Sequence, residues 1–261
     1  MKPDYQNWIP DRLLYATYLA AFVSFIGLYI GLTGFEGFER TFSAWFFGIA
    51  FAVLAAASFV MRRLHRAFDF EGDEQVSRRI IERVAERAKL PDGGRGLDIG
   101  CGSAPLTVSL ALKHPKAEMT GLDLWPRGFS SFSLALCEQN AKAEGASNAR
   151  FVQGDAKALP FADETFDLVV SNYLFTSVQT LNKESLILEA LRVLKKGGTF
   201  VMHDYFLRKG KFGDMEALCE KLKKEGFRKA EVIPTADGLF LDRKEAWRLN
   251  LTGSALFIGK K

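Results

Sequence analysis

The sequence predicts an α/β domain with a mainly parallel sheet, preceded by a two-helix transmembrane hairpin. Three observations carry this expectation. Two uncharged apolar runs, Leu13–Leu32 and Phe42–Met61, open the chain. Short apolar strand patterns then alternate with amphipathic helical ones as far as the C-terminus. At the first strand-to-helix junction stands Gly96-Leu97-Asp98-Ile99-Gly100-Cys101-Gly102-Ser103-Ala104-Pro105, an apolar strand that breaks into a glycine turn.

The apolar runs come first. As helices rising about 1.5 Å per residue, each covers roughly 30 Å, the thickness of a bilayer core. Both are apolar all round, unlike the amphipathic helices of a soluble domain. The linker Thr33–Thr41 is short enough to force an antiparallel hairpin. Lys2 and Arg12 precede the first run, and Arg62, Arg63 and Arg66 follow the second. The linker holds only Arg40, beside Glu36 and Glu39. This bias predicts both termini and the following domain on the cytoplasmic side. Trp8, Tyr29 and Trp45 stand near run ends, where interfacial aromatics belong. Gly27 and Gly31 offer a small-residue face for close helix packing. The expected division is residues 1–70 as the hairpin, contacting the lipid bilayer through residues 13–61, and 71–261 as the α/β domain.

Composition narrows the class of function. The chain has 261 residues, 48% hydrophobic and 25% charged, with a net charge of +4. So mild a charge calls for no nucleic-acid partner. Cys101, Cys137 and Cys219 are scattered and odd in number, which fits free thiols and not a disulfide framework. No His, Cys and carboxylate cluster has metal-ligand spacing, so no metal is expected.

After the hairpin, Asp73–Leu90 is an amphipathic helix with Val76, Ile80, Ile81 and Val84 on one face, stopped by Pro91-Asp92-Gly93-Gly94. Strands are predicted at Arg95–Ile99, Glu118–Asp123, Ala149–Gln153, Phe166–Ser171, Thr199–Asp204, Lys229–Ile233 and Gly253–Ile258. Helices are predicted at Leu106–Lys113, Phe129–Glu144, Lys183–Leu194 and Asp214–Glu225. Ligands of such sheets bind at the carboxyl ends of the strands.

The glycine turn has the chemistry of a ligand site. Glycine admits positive φ and close backbone approach, and the following helix offers unpaired N–H groups. The loop has no Lys, so it is a poor triphosphate cradle. Asp98 lies just before it, repelling a phosphate and favouring a ligand with positive charge. Asp123 closes the second strand about twenty residues on, where an acid can accept from ribose hydroxyls. Gly154-Asp155-Ala156 places a carboxylate after the third strand, able to accept from an exocyclic amine. Together these predict a cationic, nucleotide-like cofactor, and S-adenosylmethionine (SAM) fits.

From about Gly94 onward the chain resembles the class I SAM-dependent methyltransferases, especially the branch acting on small molecules and lipids. The resemblance rests on the D-x-G-C-G-x loop, the G-D-A turn, Leu159-Pro160-Phe161-Ala162-Asp163-Glu164-Thr165-Phe166-Asp167, and the turn Leu194-Lys195-Lys196-Gly197-Gly198 into the fifth strand. It implies a Rossmann-like seven-stranded sheet whose last strand is antiparallel. It implies that Gly100 and Gly102 lie against the methionine part of SAM, with Asp98 near its amino group. Asp123 would hold the ribose, and Asp155 with the Ala156 N–H the adenine. Cys101, Leu124, Ser171 and Asn172 belong to the same expected cofactor set. Ala104 departs from the pattern, since the family has glycine there.

The acceptor side is less specific. His203 and Tyr173 are the candidates for the catalytic step. His203 titrates near neutrality when unperturbed and can serve as a base; equally it can be a hydrogen-bonded strand residue. Trp125 is expected to pack on the cofactor. Tyr173, Phe175, Tyr205 and Phe206 can wall an apolar pocket or cradle a cation. The segment from Pro234 to Asn250 reads as an amphipathic lid, a surface for anionic headgroups, or an ordinary solvated helix. The expected function is membrane-anchored methyl transfer from SAM to a small-molecule or lipid-like acceptor. The rivals are a non-catalytic SAM-binding scaffold or sensor and a nicotinamide-dependent reductase. Oligomerisation is left open.

Overall fold

The computed structural model describes residues 2–125, 132–180 and 182–261. Two compact units emerge: Gln6–Ser77, and the residues up to Tyr5 together with Arg78–Lys261.

The first unit is the helical hairpin. Helices α1 (Asp11–Gly34) and α2 (Gly37–Phe68) are joined by two residues, so the linker is shorter than predicted. They run antiparallel. Phe25 meets Phe51 at 5.5 Å between ring centroids. Close packing follows from the small residues: a Cβ on Gly27 would lie 2.5 Å from the Phe47 ring, and one on Gly31 2.7 Å from Ser43 Oγ. By length and composition both helices are able to cross a membrane. Most of their large side chains, including Leu19, Phe22, Trp45 and Phe46, point away from the unit. Helix α2 continues past the apolar run through Arg62, Arg63 and Arg66. Near the open end, Trp8 stacks on Phe68 at 5.4 Å and Asn7 Nδ2 donates to His65 O.

The second unit is the α/β domain. After α3 (Val76–Arg87), β1 (Arg95–Ile99), α4 (Pro105–Lys113), β2 (Glu118–Asp123), α5 (Leu134–Glu144) and β3 (Ala149–Gln153) follow in alternation. Then come β4 (Phe166–Asn172), α6 (Leu174–Ser177), α7 (Lys183–Arg192), β5 (Leu194–Asp204), α8 (Lys209–Phe212), α9 (Met215–Lys224), β6 (Lys229–Pro234), α10 (Arg243–Arg248) and β7 (Ala255–Lys260). The sheet order is β3-β2-β1-β4-β5-β7-β6. Strands β1 to β5 pair in parallel, and β7 runs antiparallel between β5 and β6. The chain thus reverses its order across β1 and β4, the switch point at which open α/β sheets bind ligands.

All seven predicted strands form. Strand β5 begins at Leu194, ahead of the expected Thr199, because Leu194 already pairs with Phe166; Lys195–Gly198 then bulge out before the ladder resumes at Leu168 and Thr199. Helix α5 is described from Leu134; Phe129–Ser131 of the predicted helix lie outside the described residues. A large apolar cluster fills one layer, with Leu97, Ile99, Val169, Phe200, Phe206 and Phe257 among its buried members. Burying each such side chain contributes about 1.5–3 kcal/mol, which holds the strand ends in register beneath the site.

Candidate functional site

The glycine loop follows from backbone geometry. Gly100 has φ +74° and Gly102 φ +59°, conformations that cost a side chain strain. At Gly100 space also excludes a side chain, since a Cβ would meet Leu174 Cδ1 at 2.6 Å. The N–H groups of Gly100 and Cys101 both donate to Leu122 O, at 2.7 and 3.1 Å. Ala104 adopts φ +71° as the residue capping α4. The alanine therefore takes the left-handed backbone that glycine adopts freely, at a cost of about 1–2 kcal/mol. Pro105 then opens the helix, where its missing N–H costs nothing.

Asp98 lies under this loop, buried, and accepts a 2.6 Å hydrogen bond from Thr107 Oγ1 on α4. Burial pushes its carboxyl up to about 7; the Thr107 bond pulls the other way and the charge of Asp123 adds to the rise. Burial, Cys137 and the nearby carboxylates push the Cys101 thiol well above its ordinary range.

At the end of β2, Asp123 Oδ2 accepts from Gly102 N at 2.9 Å and Oδ1 from Trp125 N at 3.2 Å. The carboxylate thus ties the loop to the strand end. Trp125 is buried, and its indole N–H donates to Gly102 O at 2.9 Å. Leu124 between them is 49% exposed. After β3, Asp155 accepts from Lys157 N at 2.9 Å and pairs with Lys157 Nζ at 3.6 Å, beside buried Ala156.

The Leu159–Asp167 segment is held by a residue that motif reading passed over. Arg192 donates to Phe161 O, Leu159 O, Asp163 and Glu189 at 2.6–3.2 Å. Its guanidinium holds the Glu189 carboxyl below the usual range, and Glu189 in turn accepts from Leu159 N at 2.7 Å.

At the ends of β4 and β5 the polar groups interlock. His203 Nδ1 stands 2.9 Å from Asn172 Oδ1, and Nε2 stands 2.9 Å from Thr235 Oγ1. Since Asn172 Oδ1 can only accept, Nδ1–H donates to it and Nε2 accepts from the Thr235 hydroxyl. Burial pushes the imidazole down to about 3. His203 is therefore a neutral, buried hydrogen-bonding residue with neither ring nitrogen open. Of the two roles the sequence left open for His203, base or hydrogen-bonded strand residue, this geometry matches the second. Tyr173 (φ +53°) donates its N–H to His203 O, and its hydroxyl pairs with Ser254 Oγ at 2.8 Å. Burial raises that phenol well above its ordinary range. Asp204 accepts from Thr176 N, Thr176 Oγ1 and Tyr205 N. Tyr173 meets Tyr205 at 5.1 Å, Phe240 meets His203 at 5.2 Å, and Arg208 lies 3.8 Å over the Tyr205 ring. Phe175 and Phe206 are core residues. The segment after β6 forms only the short helix α10, with Leu241 buried and Trp247 78% exposed.

The residues present fit SAM on two observations. Asp98 is a buried acid that none of the ion pairs among the described residues neutralises. Ser171 Oγ, at the end of β4, is buried with no hydrogen-bond partner among the described residues. A ligand carrying an ammonium and hydrogen-bonding groups would satisfy both.

Comparison with known proteins agrees. A family described as "Methyltransferase domain" matches residues 90–249. The demethylmenaquinone methyltransferase of Geobacillus kaustophilus is 36% identical over 121 residues, covering 46% of this chain and 49% of that protein. The ubiquinone/menaquinone biosynthesis C-methyltransferase UbiE of Desulfotalea psychrophila is 32% identical over 133 residues, covering 51% of this chain and 49% of its own. The chain thus spans about half the length of the curated relatives it matches. Among solved structures, the [4+2]-cyclase SpnF superposes with a TM-score of 0.54 at 21% identity, covering 74% of this chain and 85% of that one. A putative O-methyltransferase from Nostoc punctiforme gives 0.51 at 15%, covering 72% and 57%. These two likenesses concern the fold alone.

Proposed function

Because this chain belongs to the class I SAM-dependent methyltransferases, we propose that it methylates a hydrophobic quinone-type acceptor at the cytoplasmic face of a membrane. The observation that carries the acceptor class is the aromatic cluster at the ends of β4 and β5. Tyr173, Tyr205 and Phe240 offer ring faces and edges, and Arg208 covers Tyr205. A planar apolar ring stacks on such faces, and Asn172 Nδ2 is a donor for a ring oxygen; the Arg208 guanidinium is itself held by Thr252 O and Asn250 O. The names of the curated relatives, which refer to menaquinone and ubiquinone, support the same class. The two apolar helices support tethering to the bilayer, where such acceptors dissolve.

Bound SAM would supply an electrophilic methyl on its sulfonium. The chain's own residues bind and orient. Asp98 would hold the ammonium, Asp123 the ribose hydroxyls, and Asp155 with the Ala156 N–H the adenine, above Leu124. Gly100, Cys101 and Gly102 would let the methionine part approach the backbone, and Ser171 and Asn172 would close that side. His203 orients Asn172 through the Nδ1–H bond and takes no proton. Tyr173 shapes the acceptor wall, its hydroxyl engaged by Ser254. A reduced quinone ring would lose a hydroxyl proton to solvent on activation and its ring C–H proton to solvent after bonding the methyl, with S-adenosylhomocysteine as the leaving group, so the chain's residues act by positioning.

The test is an assay of the full chain in lipid nanodiscs with methyl-labelled SAM. Short-chain demethylated quinols are compared with water-soluble phenols and amines. Label in the quinol alone is the expected result. Label in a soluble amine at equal or higher rate overturns the quinone reading. Binding of S-adenosylhomocysteine without turnover on any acceptor favours the scaffold instead.

A further inference from the structure

The chain ahead of the hairpin is wired to the cofactor loop. Asn140, on α5, is fully buried, and its side chain makes three hydrogen bonds. Its Oδ1 accepts from Asp4 N at 2.7 Å, and its Nδ2 donates to Asp4 O at 2.8 Å and to Ser103 O at 2.9 Å. Ser103 Oγ donates to Tyr5 O at 2.5 Å, and Tyr5 is buried. One turn earlier on α5, Cys137 Sγ donates to Gly102 O at 3.1 Å. The dipeptide Gly102–Ser103 is therefore held on one side by α5 and by Asp4–Tyr5. On the other side its Gly102 N–H is aimed at Asp123, the expected ribose acid.

This arrangement is costly unless it is complete. A buried Asn has two N–H donors and an acceptor oxygen to satisfy, and here both donors and the oxygen are used. Asp4 supplies two of the three partners. Without it, Asn140 keeps an unpaired donor and acceptor inside the domain, and its remaining bond to Ser103 O loses its fixed direction.

We propose that Asn140 is a positioning residue for SAM binding, and that Asp4–Tyr5 act through it as a clamp on the cofactor loop. Five residues, Gln6–Pro10, separate this clamp from the start of α1. Asp4 and Tyr5 thus support the cofactor loop from behind, through Asn140 and Ser103. The inference rests on the assignment of the loop to SAM. It concerns residues that touch neither cofactor nor acceptor.

Three variants test it, each studied in nanodiscs: Asp4→Pro, which removes the N–H accepted by Asn140; Asn140→Leu; and deletion of residues 2–5. Calorimetry with S-adenosylhomocysteine should show affinity weakened at least tenfold by Asn140→Leu and by the deletion, and about threefold or more by Asp4→Pro. The KM for SAM should rise while the KM for the acceptor stays unchanged, a split that general destabilisation would not give. Linkage requires the reverse effect as well: saturating S-adenosylhomocysteine should slow hydrogen exchange of the Asp4 amide in the wild-type chain. The clamp is overturned if the deletion binds as tightly as wild type, or if ligand leaves Asp4 exchange unchanged. Failure of the wild-type chain to bind S-adenosylhomocysteine would instead overturn the loop assignment itself.

Discussion

Asp98 and Thr107 are joined by a 2.6 Å hydrogen bond beneath the glycine loop, with the carboxyl buried and raised to about 7. The rise has a sign. Between about pH 4 and 7 the folded chain keeps a proton that the unfolded chain has released, so this group removes stability as pH rises through that window. A cationic ligand beside Asp98 lowers its pKa and expels the proton. S-adenosylhomocysteine, which carries an ammonium, should therefore bind up to roughly tenfold more tightly at pH 8 than at pH 6. Calorimetry in buffers of different ionisation enthalpy should register proton release near pH 7. Asp98→Asn should flatten the profile, and a flat wild-type profile would contradict the placing of the ammonium there.

His203 contributes the opposite slope. Its imidazole is held down to about 3 by burial, against an ordinary value of 6.5. The unfolded chain takes up the proton first, so stability falls as pH drops from about 6.5 toward 3. The two windows overlap and partly cancel. Asp98→Asn should unmask the histidine, giving a protein more stable at neutral pH and steeper in its acid loss. Thermal melts from pH 4 to 8 report this. The pH profile of kcat should show no limb from His203 between pH 5 and 8.

Gly100 and Ala104 share a left-handed backbone but differ in surroundings. Gly100→Ala adds strain and a contact at 2.6 Å with Leu174, and should cost about 3 kcal/mol and abolish S-adenosylhomocysteine binding. Ala104→Gly relieves about 1–2 kcal/mol of strain. It loses a buried methyl worth about 0.8 kcal/mol and gains unfolded-chain freedom of similar size. Stability should move by less than about 1 kcal/mol either way. Denaturant midpoints of the α/β unit distinguish the two; equal effects would remove the steric account of Gly100.

Arg192 ties two carbonyls and one carboxylate of the adenine-side loop to its own helix, where it also pairs with Glu189. Arg192→Ala should cost about 2 kcal/mol, since Leu159 O, Phe161 O and Glu189 lose a charged donor. Arg192→Lys should recover little of it, because one ammonium cannot span the fork. Melting temperature and affinity for S-adenosylhomocysteine should fall together, and an unchanged affinity would detach this loop from the cofactor site.

What the sequence determined by itself is what is local. Apolar runs with no charge, the period of the strands, and a turn that needs positive φ at Gly100 and Gly102 are each written in neighbouring residues. They sufficed for the hairpin helices, for the seven strands, and for the acids Asp98, Asp123 and Asp155 at the strand ends. What depends on partners remote in the chain was decided only by the tertiary structure. A histidine at the end of a strand can be a base or a hydrogen-bonded residue, and only the fold brings Asn172 and Thr235 to both its nitrogens. Asn140 stands on the apolar stripe of its helix with Cys137 and Ala141, a signal of a buried polar role, but nothing local names Asp4 as its partner. Arg192 looked like the last turn of a helix and is the anchor of a loop some thirty residues earlier. Burial and hydrogen-bond partners set a side chain's charge and freedom, and both are properties of the packed fold.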